Sequence, residues 1–321
     1  MAKIVYDISQ RQHGFWHEIK KNKALFLMLL PGFLVLLLNN YLPMFGVIIA
    51  FKNFKFVGET FIESLFKSEW VGFKNFKFLF NTTDAYVITR NTLLYNLAFI
   101  VIGLVVAVSL AIALSEMRSR RLGRIYQGAM FLPYFLSWVV ASYLVYAFLG
   151  FDTGFVNKSV LARLGLPPVS WYNDTRPWPF ILVSMHLWKW AGYNCVVYLA
   201  AILSIDPEYY EAAIIDGANK WQQITRITIP QLIPLMTVLT LLNIGRIFYA
   251  DFGLFFHIPR NTGILYPVTN VIDTYVYNTL LYMGDIGMSS AAGLYQAVVG
   301  FTLVIVTNTA IRRTNKDYAL F

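Results

Sequence analysis

The sequence predicts an all-α polytopic membrane protein, and three observations lead to this fold class. Hydrophobic residues make up 57% of the 321-residue chain and charged residues only 13%, whereas about a quarter of a soluble domain is charged. Six runs of mostly apolar residues are each long enough to cross a bilayer as a helix. The basic residues cluster between these runs, as they do in the loops and tails of membrane proteins.

The six predicted spans follow one another along the chain. The first contains Pro31 and Pro43, which kink a helix but are tolerated in a membrane bundle. No small-residue cleavage site follows this span, so we expect it to be retained as an anchor rather than removed as a signal peptide. The spans are approximately Ala24 to Val47, Thr92 to Leu114, Ile125 to Leu149, Phe180 to Leu203, Leu232 to Phe256, and Ala291 to Ile311.

Lysines and arginines predict the orientation of these spans. They are concentrated in the N-terminal tail, in the connection after the second span and in the C-terminal tail, three segments that share one side if there are six spans. Both termini are therefore predicted to be cytoplasmic. The residues are Lys3, Arg11, Lys20, Lys21 and Lys23 in the first segment, Arg118, Arg120, Arg121 and Arg124 in the second, and Arg312, Arg313 and Lys316 in the third.

The segment from Lys52 to Arg90 is predicted to lie outside, although it holds six basic residues. Its length and its four acidic residues dilute that opposing signal. The pattern FKNFKF begins at Phe51 and returns as FKNFKFLF at Phe73. Such a mixture of aromatic and basic residues indicates an amphipathic segment at the outer membrane interface.

Several kinds of site are absent from the sequence. The single cysteine, Cys195, lies in an apolar run and excludes an intrachain disulfide and a cysteine metal cluster. No histidine has a partner at zinc-site spacing in a suitable context. No Gly-Lys pair occurs, so a phosphate-binding P-loop is excluded. We therefore expect the chain to bind neither a metal nor ATP by itself.

The stretch between the fourth and fifth spans is the longest connection on the cytoplasmic side. Asp206, Pro207 and Glu208 predict a helix start, with an N-cap carboxylate, proline at the first position and an acid in the first turn. A simple linker is one interpretation of this helix, but small residues beside acids favour a docking surface for a partner. The predicted apolar stripe consists of Tyr210, Ile214, Gly217, Ala218 and Trp221.

The same stretch resembles a known motif. Glu211-Ala212-Ala213, then Gly217 after three residues, then Ile227-Thr228-Ile229-Pro230 after nine more, is similar to the EAA loop of ABC importer permeases, with Ile229 in place of leucine. Further similarities point to the MalF-type carbohydrate permeases and their LplB-like group. They are WVGFKNF at residues 70–76, NTL at 91–93 and YLAA at 198–201.

The resemblance implies a MetI-like permease bundle of six helices with a cytoplasmic EAA coupling helix, at about Pro207 to Ala218, that docks in a groove of an ATPase subunit. It also implies a heterodimer with a second, related permease, two ATPase subunits that bind ATP and Mg, and an extracytoplasmic solute-binding protein at the bacterial inner membrane. The implied organisation is a tail at 1–23, a permease domain at 24–311 with a core from about 90, a coupling loop at 205–231, and a tail at 312–321. The residues implied to couple to the ATPase are Glu211, Ala212, Ala213, Asp216, Gly217, Ile227 and Pro230.

Polar residues inside two spans are candidates for the translocation path, because ionisable groups in a membrane are costly and tend to be functional. Lys189 and Arg246 fall roughly 13 to 15 Å below the outer ends of their spans. Two basic residues favour an anionic cargo, such as a uronic-acid oligosaccharide, with Trp188 among the aromatic residues that could stack on sugar rings. Pairing of Arg246 with Asp251 or with a neighbouring helix, for structural reasons alone, is the alternative. The predicted path residues are Lys189, Trp190, Tyr193, Asn194, Asn243, Arg246 and Asp251.

Three other functions would each require sequence features different from those of a carbohydrate importer. A permease for amino acids, peptides or ions would share the EAA loop but not the carbohydrate-permease segments. A secondary transporter or channel would be expected to carry intramembrane acids and no EAA loop. A membrane-embedded enzyme would need a nucleophile and a base at matching depth, and no predicted span has them, so we expect a transport subunit without catalytic residues.

Overall fold

The computed structural model describes residues 20–57, 59–77 and 82–314. The predicted terminal tails lie largely outside these ranges. Nearly all regular structure in the described chain is helical, in agreement with the predicted all-α fold class.

The first helix, α1 (Lys23–Phe51), passes through a π-helical turn at Leu37–Tyr41 and ends in a 3-10 helix. It is exposed along most of its length, and only Ile49 and Ala50 near its end are buried. A short strand, β1 (Lys52–Asn53), follows it and pairs antiparallel with β2 (Glu69–Trp70). Between the strands lies α2 (Phe61–Lys67), and a 3-10 helix follows at Gly72–Phe76.

The remaining helices form the bundle. Side-chain oxygens cap several of their first turns; Thr82, Ser119 and Ser137, for example, each accept a hydrogen bond from a backbone N–H three residues later. The helices are α3 (Thr83–Ser115), α4 (Arg120–Phe135), α5 (Trp138–Leu149), α6 (Trp178–Leu203), α7 (Pro207–Ile215), α8 (Lys220–Ile244), α9 (Phe252–His257), α10 (Tyr266–Thr269), α11 (Ile272–Met283) and α12 (Ile286–Thr314). Shorter π and 3-10 turns lie at Val156–Leu161, Trp171–Asn173 and Gly263–Leu265.

Helices α3 and α6 pack side by side and run in the same direction. Tyr95 and Phe99, in the first half of α3, share one core cluster with Trp178 at the start of α6. Ala107 and Cys195, further along the same two helices, belong to a second cluster. Both helices therefore start at one end of the bundle and end at the other.

Four helices of the described chain are long and apolar enough to cross a membrane by length and composition, namely α1, α3, α8 and α12. The bent pair α4 and α5 would make a fifth span. Helix α6 occupies the predicted fourth span and has 26 residues, but it is not among these four. The count of six spans and the orientation of the termini therefore stay predictions.

Two predicted spans are not continuous helices. The third breaks at Leu136 and Ser137, where α4 and α5 meet at an angle of 101°. The fifth ends early, because α8 stops at Ile244 and the chain turns before α9 begins at Phe252. Hydropathy did not reveal either break, since the residues on both sides of each are apolar. Side chains from other helices hold both breaks, as described below.

Candidate functional site

The predicted coupling segment folds as two short helical pieces around a glycine. Asp206 caps α7 by accepting a hydrogen bond from the Glu208 backbone N–H at 3.0 Å. The helix ends at Ile215, and Gly217 has a φ of 79°, a left-handed conformation that glycine adopts without steric cost. Asn219 then begins α8 with a reciprocal capping box.

The apolar side chains of this segment are mostly not packed against the rest of the chain. Ile215 is 87% exposed, Trp221 71% and Ile214 59%. Tyr210 is partly buried, and its hydroxyl forms a 2.9 Å hydrogen bond with the hydroxyl of Thr228. Contiguous exposed apolar surface is typical of a protein interaction site. The predicted stripe is thus directed partly outward rather than into the core.

The EAA-type residues lie on this same outer surface. Of the predicted coupling residues, Ala213 and Ile227 are half-buried, and the others are exposed; these are Glu211, Ala212, Asp216, Gly217 and Pro230. Salt bridges within the described chain do not include Glu211. Its carboxylate is therefore free to contact a partner, although the coupling role itself stays a prediction.

The segment is anchored to the bundle on its other side. The ammonium group of Lys220 forms a 2.9 Å ion pair with the carboxylate of Glu116, just after α3. Buried Gln223 donates to the carbonyl of Ala218 at 3.1 Å. An exposed ion pair of this kind contributes at most about 1 kcal/mol, but it shows that the end of α3 and the coupling segment lie together at one end of the bundle.

Lys189 lies in the first half of α6, beside the break between α4 and α5. Its side chain is buried, with the residue 8% exposed. Its ammonium group donates to the carbonyl of Tyr134 at 3.1 Å and to the carbonyl of Leu136. These carbonyls belong to the bend, where the helical hydrogen bonds are interrupted. Lys189 therefore satisfies the backbone of the bend, a function that sequence spacing did not indicate.

The break between α8 and α9 is held by two polar side chains from other helices. Asn96 of α3 donates to the carbonyl of Ile247 at 2.9 Å and to that of Tyr249 at 3.2 Å. Gln296 of α12 donates to the carbonyl of Phe248 at 2.7 Å. Non-helical backbone at membrane depth is tolerated only where it is buried in protein or lines a water-filled cavity. The hydrogen bonds from Asn96 and Gln296 supply the partners that this non-helical backbone needs.

The two breaks are in direct contact. The indole N–H of Trp138, at the start of α5, donates to the carboxylate of Asp251 at 2.9 Å. The ammonium group of Lys189 lies 5.1 Å from the centre of the same indole ring, within the range of a cation–π interaction. Asp251 also caps α9 through the Leu254 backbone N–H. The described salt bridges include no pair between Arg246 and Asp251, and Trp138 and the cap occupy that carboxylate.

Arg246, Asn243 and Tyr193 are the exposed members of the predicted path. Arg246 lies in the turn after α8 rather than in a helix, and no ion pair or hydrogen bond of its side chain is found within the described chain. Asn194 is half-buried. Discontinuous helices with exposed polar residues are where membrane transporters commonly bind their cargo.

The predicted sugar-stacking aromatics have protein partners. Tyr193 stacks on Tyr134 with ring centres 4.7 Å apart, and Trp190 meets the same ring edge-on at 5.4 Å. Trp188 lines an apolar cavity of about 460 Å³ together with residues of α5 such as Phe148. Tyr193 remains 38% exposed, so of the two predicted path aromatics it is more accessible than Trp190. No group of three or more metal-ligating side chains occurs within the described residues.

The residues that the sequence reasoning missed are Asn96, Trp138 and Gln296. Asn96 and Gln296 are polar residues inside otherwise apolar runs, and this was a usable signal, because such groups need hydrogen-bond partners in a membrane.

A family model for the inner membrane component of binding-protein-dependent transport systems matches residues 99–316. The chain belongs to this family. The match covers most of the bundle, including the coupling segment and both breaks.

Similar proteins agree with this membership. Protein LplB of Bacillus subtilis (strain 168) is 32% identical over 300 residues, covering 93% of this chain and 92% of LplB. The polygalacturonan/rhamnogalacturonan transport system permease protein YteP of the same organism is 32% identical, with 94% and 91% covered. The predicted resemblance of this inner membrane component to LplB-like carbohydrate permeases is therefore confirmed.

The fold is also shared with solved structures. A chain of a bacterial ABC transporter involved in the import of the acidic polysaccharide alginate superposes with a TM-score of 0.83 at 33% identity, covering 94% of this chain and 99% of that chain. A bacterial alginate ABC transporter in complex with an alginate pentasaccharide-bound periplasmic protein gives the same TM-score and identity, with 94% and 98% covered. The predicted MetI-like permease fold is confirmed by this similarity.

Proposed function

We propose that the chain is the membrane-spanning subunit of an ATP-driven importer for an acidic oligosaccharide delivered by an extracytoplasmic solute-binding protein. One observation carries the proposal: this member of the permease family has an exposed apolar coupling segment at one end of the bundle and two helix breaks, in contact with each other, further along it. In this proposal the chain has no catalytic residue, and it works with a second permease and two ATPase subunits that hold ATP and Mg.

The mechanism follows from the continuity of α8. This helix begins at Lys220 in the coupling segment and ends at Ile244, just before Arg246, and so spans 25 residues, or about 37 Å. A displacement of the coupling segment by an ATPase subunit is transmitted along this helix to the break beside Arg246. The ion pair between Lys220 and Glu116 carries the same displacement to α3.

The exposed surface of α7 and the start of α8 supports an ATPase partner. Ile214, Ile215 and Trp221 present apolar area, and Glu211 adds a carboxylate beside them. Apolar anchors flanked by a charged group are typical of specific protein interfaces. The likeness of the segment to the EAA loop identifies the partner class, because that loop is the ATPase contact in ABC importer permeases.

Copurification tests this assignment. Ile215→Glu places a charge in the middle of the proposed interface, so we expect the ATPase subunit to dissociate from the purified transporter. Ile62→Glu is the matched control, since Ile62 is also exposed, at 65%, but lies on α2. Retention of the ATPase by the Ile215 variant, or its loss from both variants, would contradict the assignment.

The proposed acidic character of the cargo rests on Arg246, an exposed guanidinium at the joined breaks. Asp251 and Asp273, whose carboxylates lie at the break after α8, are occupied by hydrogen bonds from Trp138, Gln296 and the backbone. An uncompensated guanidinium binds carboxylates well, because its paired N–H donors match their geometry. The transport of polygalacturonan/rhamnogalacturonan by YteP and of alginate by the structural relatives fits such a cargo.

Transport assays with Arg246→Ala test the cargo. We expect uptake of uronic-acid oligosaccharides to fall about tenfold, the loss expected for roughly 1.4 kcal/mol of binding, while uptake of neutral oligosaccharides of the same length changes little. Arg163→Ala, at an exposed arginine in the loop after α5, is the control. Equal losses for the two cargoes would contradict the proposed role of the Arg246 charge.

A further inference from the structure

The repeated FKNFKF pattern forms a single structural unit. Its first copy occupies residues 51–56, and its second begins at Phe73, with residues 73–77 described. The ring of Phe51 lies 5.5 Å from that of Phe73 and 5.4 Å from that of Phe76. Thus the phenylalanines of one copy pack on those of the other. The unit directly precedes the start of α3, whereas the end of α3 lies beside the coupling segment. The unit is therefore at the end of the bundle opposite α7.

The Lys-Asn pairs of both copies line one cavity. The cavity measures about 380 Å³ and is lined by Lys52, Asn53 and Lys55 of the first copy, Lys74 and Asn75 of the second copy, and Asp285 before α12. Both copies of the repeat therefore contribute to one polar site.

The walls are fixed in place by hydrogen bonds and by close packing. The side-chain amide of Asn75 donates to the carbonyl of Ala50 at 3.0 Å and to that of Lys52 at 2.9 Å. The backbone of Lys55 exchanges hydrogen bonds with the hydroxyl of Ser68. A Cβ on Gly287, in the first turn of α12, would lie only 2.7 Å from the Asn75 amide nitrogen. The cavity is thus a preformed site on the first turn of α12.

Two positive charges in the site remain available. Lys52 donates its ammonium group to the carbonyl of Leu65 at 2.6 Å, and Asp285 accepts from the Met288 backbone N–H as a helix cap at 2.8 Å. Lys55 and Lys74 are exposed, and no salt bridge of the described chain includes them. The net charge at the mouth of the cavity is therefore positive, and the site is complementary to a carboxylate.

We propose that this cavity receives an acidic side chain of the solute-binding protein when that protein docks on the transporter. The inference rests on the proposed function and names the docking surface for one of its partners. Trp70 and Phe73 on the same unit are 62% and 74% exposed, and exposed aromatics beside a charged pocket are typical of protein interfaces. The periplasmic-protein complex of the alginate transporter shows that a structural relative binds such a partner.

The test is a binding measurement on the assembled transporter in lipid nanodiscs. The probe is a purified solute-binding protein that stimulates ATP hydrolysis by the wild-type transporter. The Lys55→Gln/Lys74→Gln variant removes the two available charges. The Lys67→Gln/Lys77→Gln variant removes the same net charge from two exposed lysines of this region that do not line the cavity.

We expect the cavity variant to bind the probe about tenfold more weakly at low salt, with a shallower salt dependence, and the control variant to change by less than about twofold. ATP hydrolysis without the probe should be equal in all three proteins, which shows that they are folded and assembled. Equal weakening in the two variants would overturn the proposal, because it would indicate a diffuse attraction. Unchanged probe affinity together with lost binding of free uronic-acid oligosaccharide would overturn it in favour of a cargo site.

Failure of the proposed function gives a different result. If the wild-type transporter contained no ATPase subunit, or if no solute-binding protein stimulated hydrolysis, the importer assignment would fall, and this inference with it. If the wild type behaved as an importer and the cavity variant bound the probe as tightly as the wild type, the docking site alone would be wrong.

Discussion

Lys189 shows how one residue can hold a membrane helix in a bent form. Its ammonium group takes up the carbonyls of Tyr134 and Leu136 at the bend and lies against the ring of Trp138. A buried cation at this depth is costly unless its donors are satisfied. The geometry therefore assigns Lys189 a structural contact at the bend, and its contact with cargo stays a prediction.

Substitution of Lys189 separates these two roles. Lys189→Met leaves two buried carbonyls without their donor, and we expect it to lower stability by about 1–3 kcal/mol, seen as a lower midpoint of thermal unfolding in detergent. Lys189→Arg, which retains donors, should lose less. A methionine variant with unchanged thermal stability but reduced uptake would instead support direct contact with the cargo.

Gly217 gives a second prediction at the residue scale. A Cβ at this position would meet no atom within 4 Å, so Gly217→Ala acts through backbone strain alone, at about 1–2 kcal/mol. We expect the turn after α7 to distort and ATP-dependent uptake to fall, with little change in expression. Gly293→Ala is the control, because Gly293 also has open space but lies in α12. Equal uptake by the two variants would contradict a role for the positive φ.

The positions of the coupling residues could be predicted from sequence because their signals are local. Asp206, Pro207 and Gly217 act on the backbone within one or two turns of their own positions. Lys189 and Arg246 could be selected as unusual residues in apolar runs, but their partners could not. Those partners lie on other helices, which no spacing rule identifies.

At the element scale, two of the six predicted spans are broken, and the two breaks are in contact. The bend between α4 and α5 and the turn between α8 and α9 meet through the 2.9 Å hydrogen bond from Trp138 to Asp251. Hydropathy measures the length of an apolar run, not its straightness. Asn96, Gln296 and Lys189 satisfy backbone carbonyls at the breaks, and these contacts between helices could not be located from the apolar pattern.

Asn96 tests whether the break after α8 depends on α3. Asn96→Ala removes the donors to the carbonyls of Ile247 and Tyr249, and each lost bond in a membrane costs about 0.6–2 kcal/mol. We expect a lower unfolding midpoint and reduced uptake. Thr302→Ala is the control, because the Thr302 hydroxyl bonds only the carbonyl four residues earlier in its own helix. Similar stability in the two variants would show that the break is held by other contacts.

At the scale of the whole molecule, the structure separates its surfaces along the bundle. The coupling segment, with α7 and the start of α8, lies at one end, and the FKNFKF unit lies at the other. Helix α8 connects the coupling segment to the two breaks that are in contact. The all-α fold class followed from the apolar runs. The folded FKNFKF unit did not, since the repeat indicated an interfacial segment and not a folded cavity.

This arrangement predicts that energy from ATP enters the chain through α7. Glu211→Lys reverses the charge in the middle of the exposed coupling surface without removing any hydrogen bond described for the chain. It should therefore leave the bundle folded and change only the contact with the ATPase. Unchanged elution on size-exclusion chromatography would serve as the control for folding.

The most direct test of the central claim is ATP-dependent uptake of a uronic-acid oligosaccharide by proteoliposomes that contain the purified transporter and its solute-binding protein. The account predicts that wild-type uptake requires ATP and an ATPase subunit that copurifies with this chain, and that Glu211→Lys abolishes uptake while the protein stays folded. Uptake that continues without the ATPase, or that is unchanged in the Glu211→Lys variant, would contradict the account.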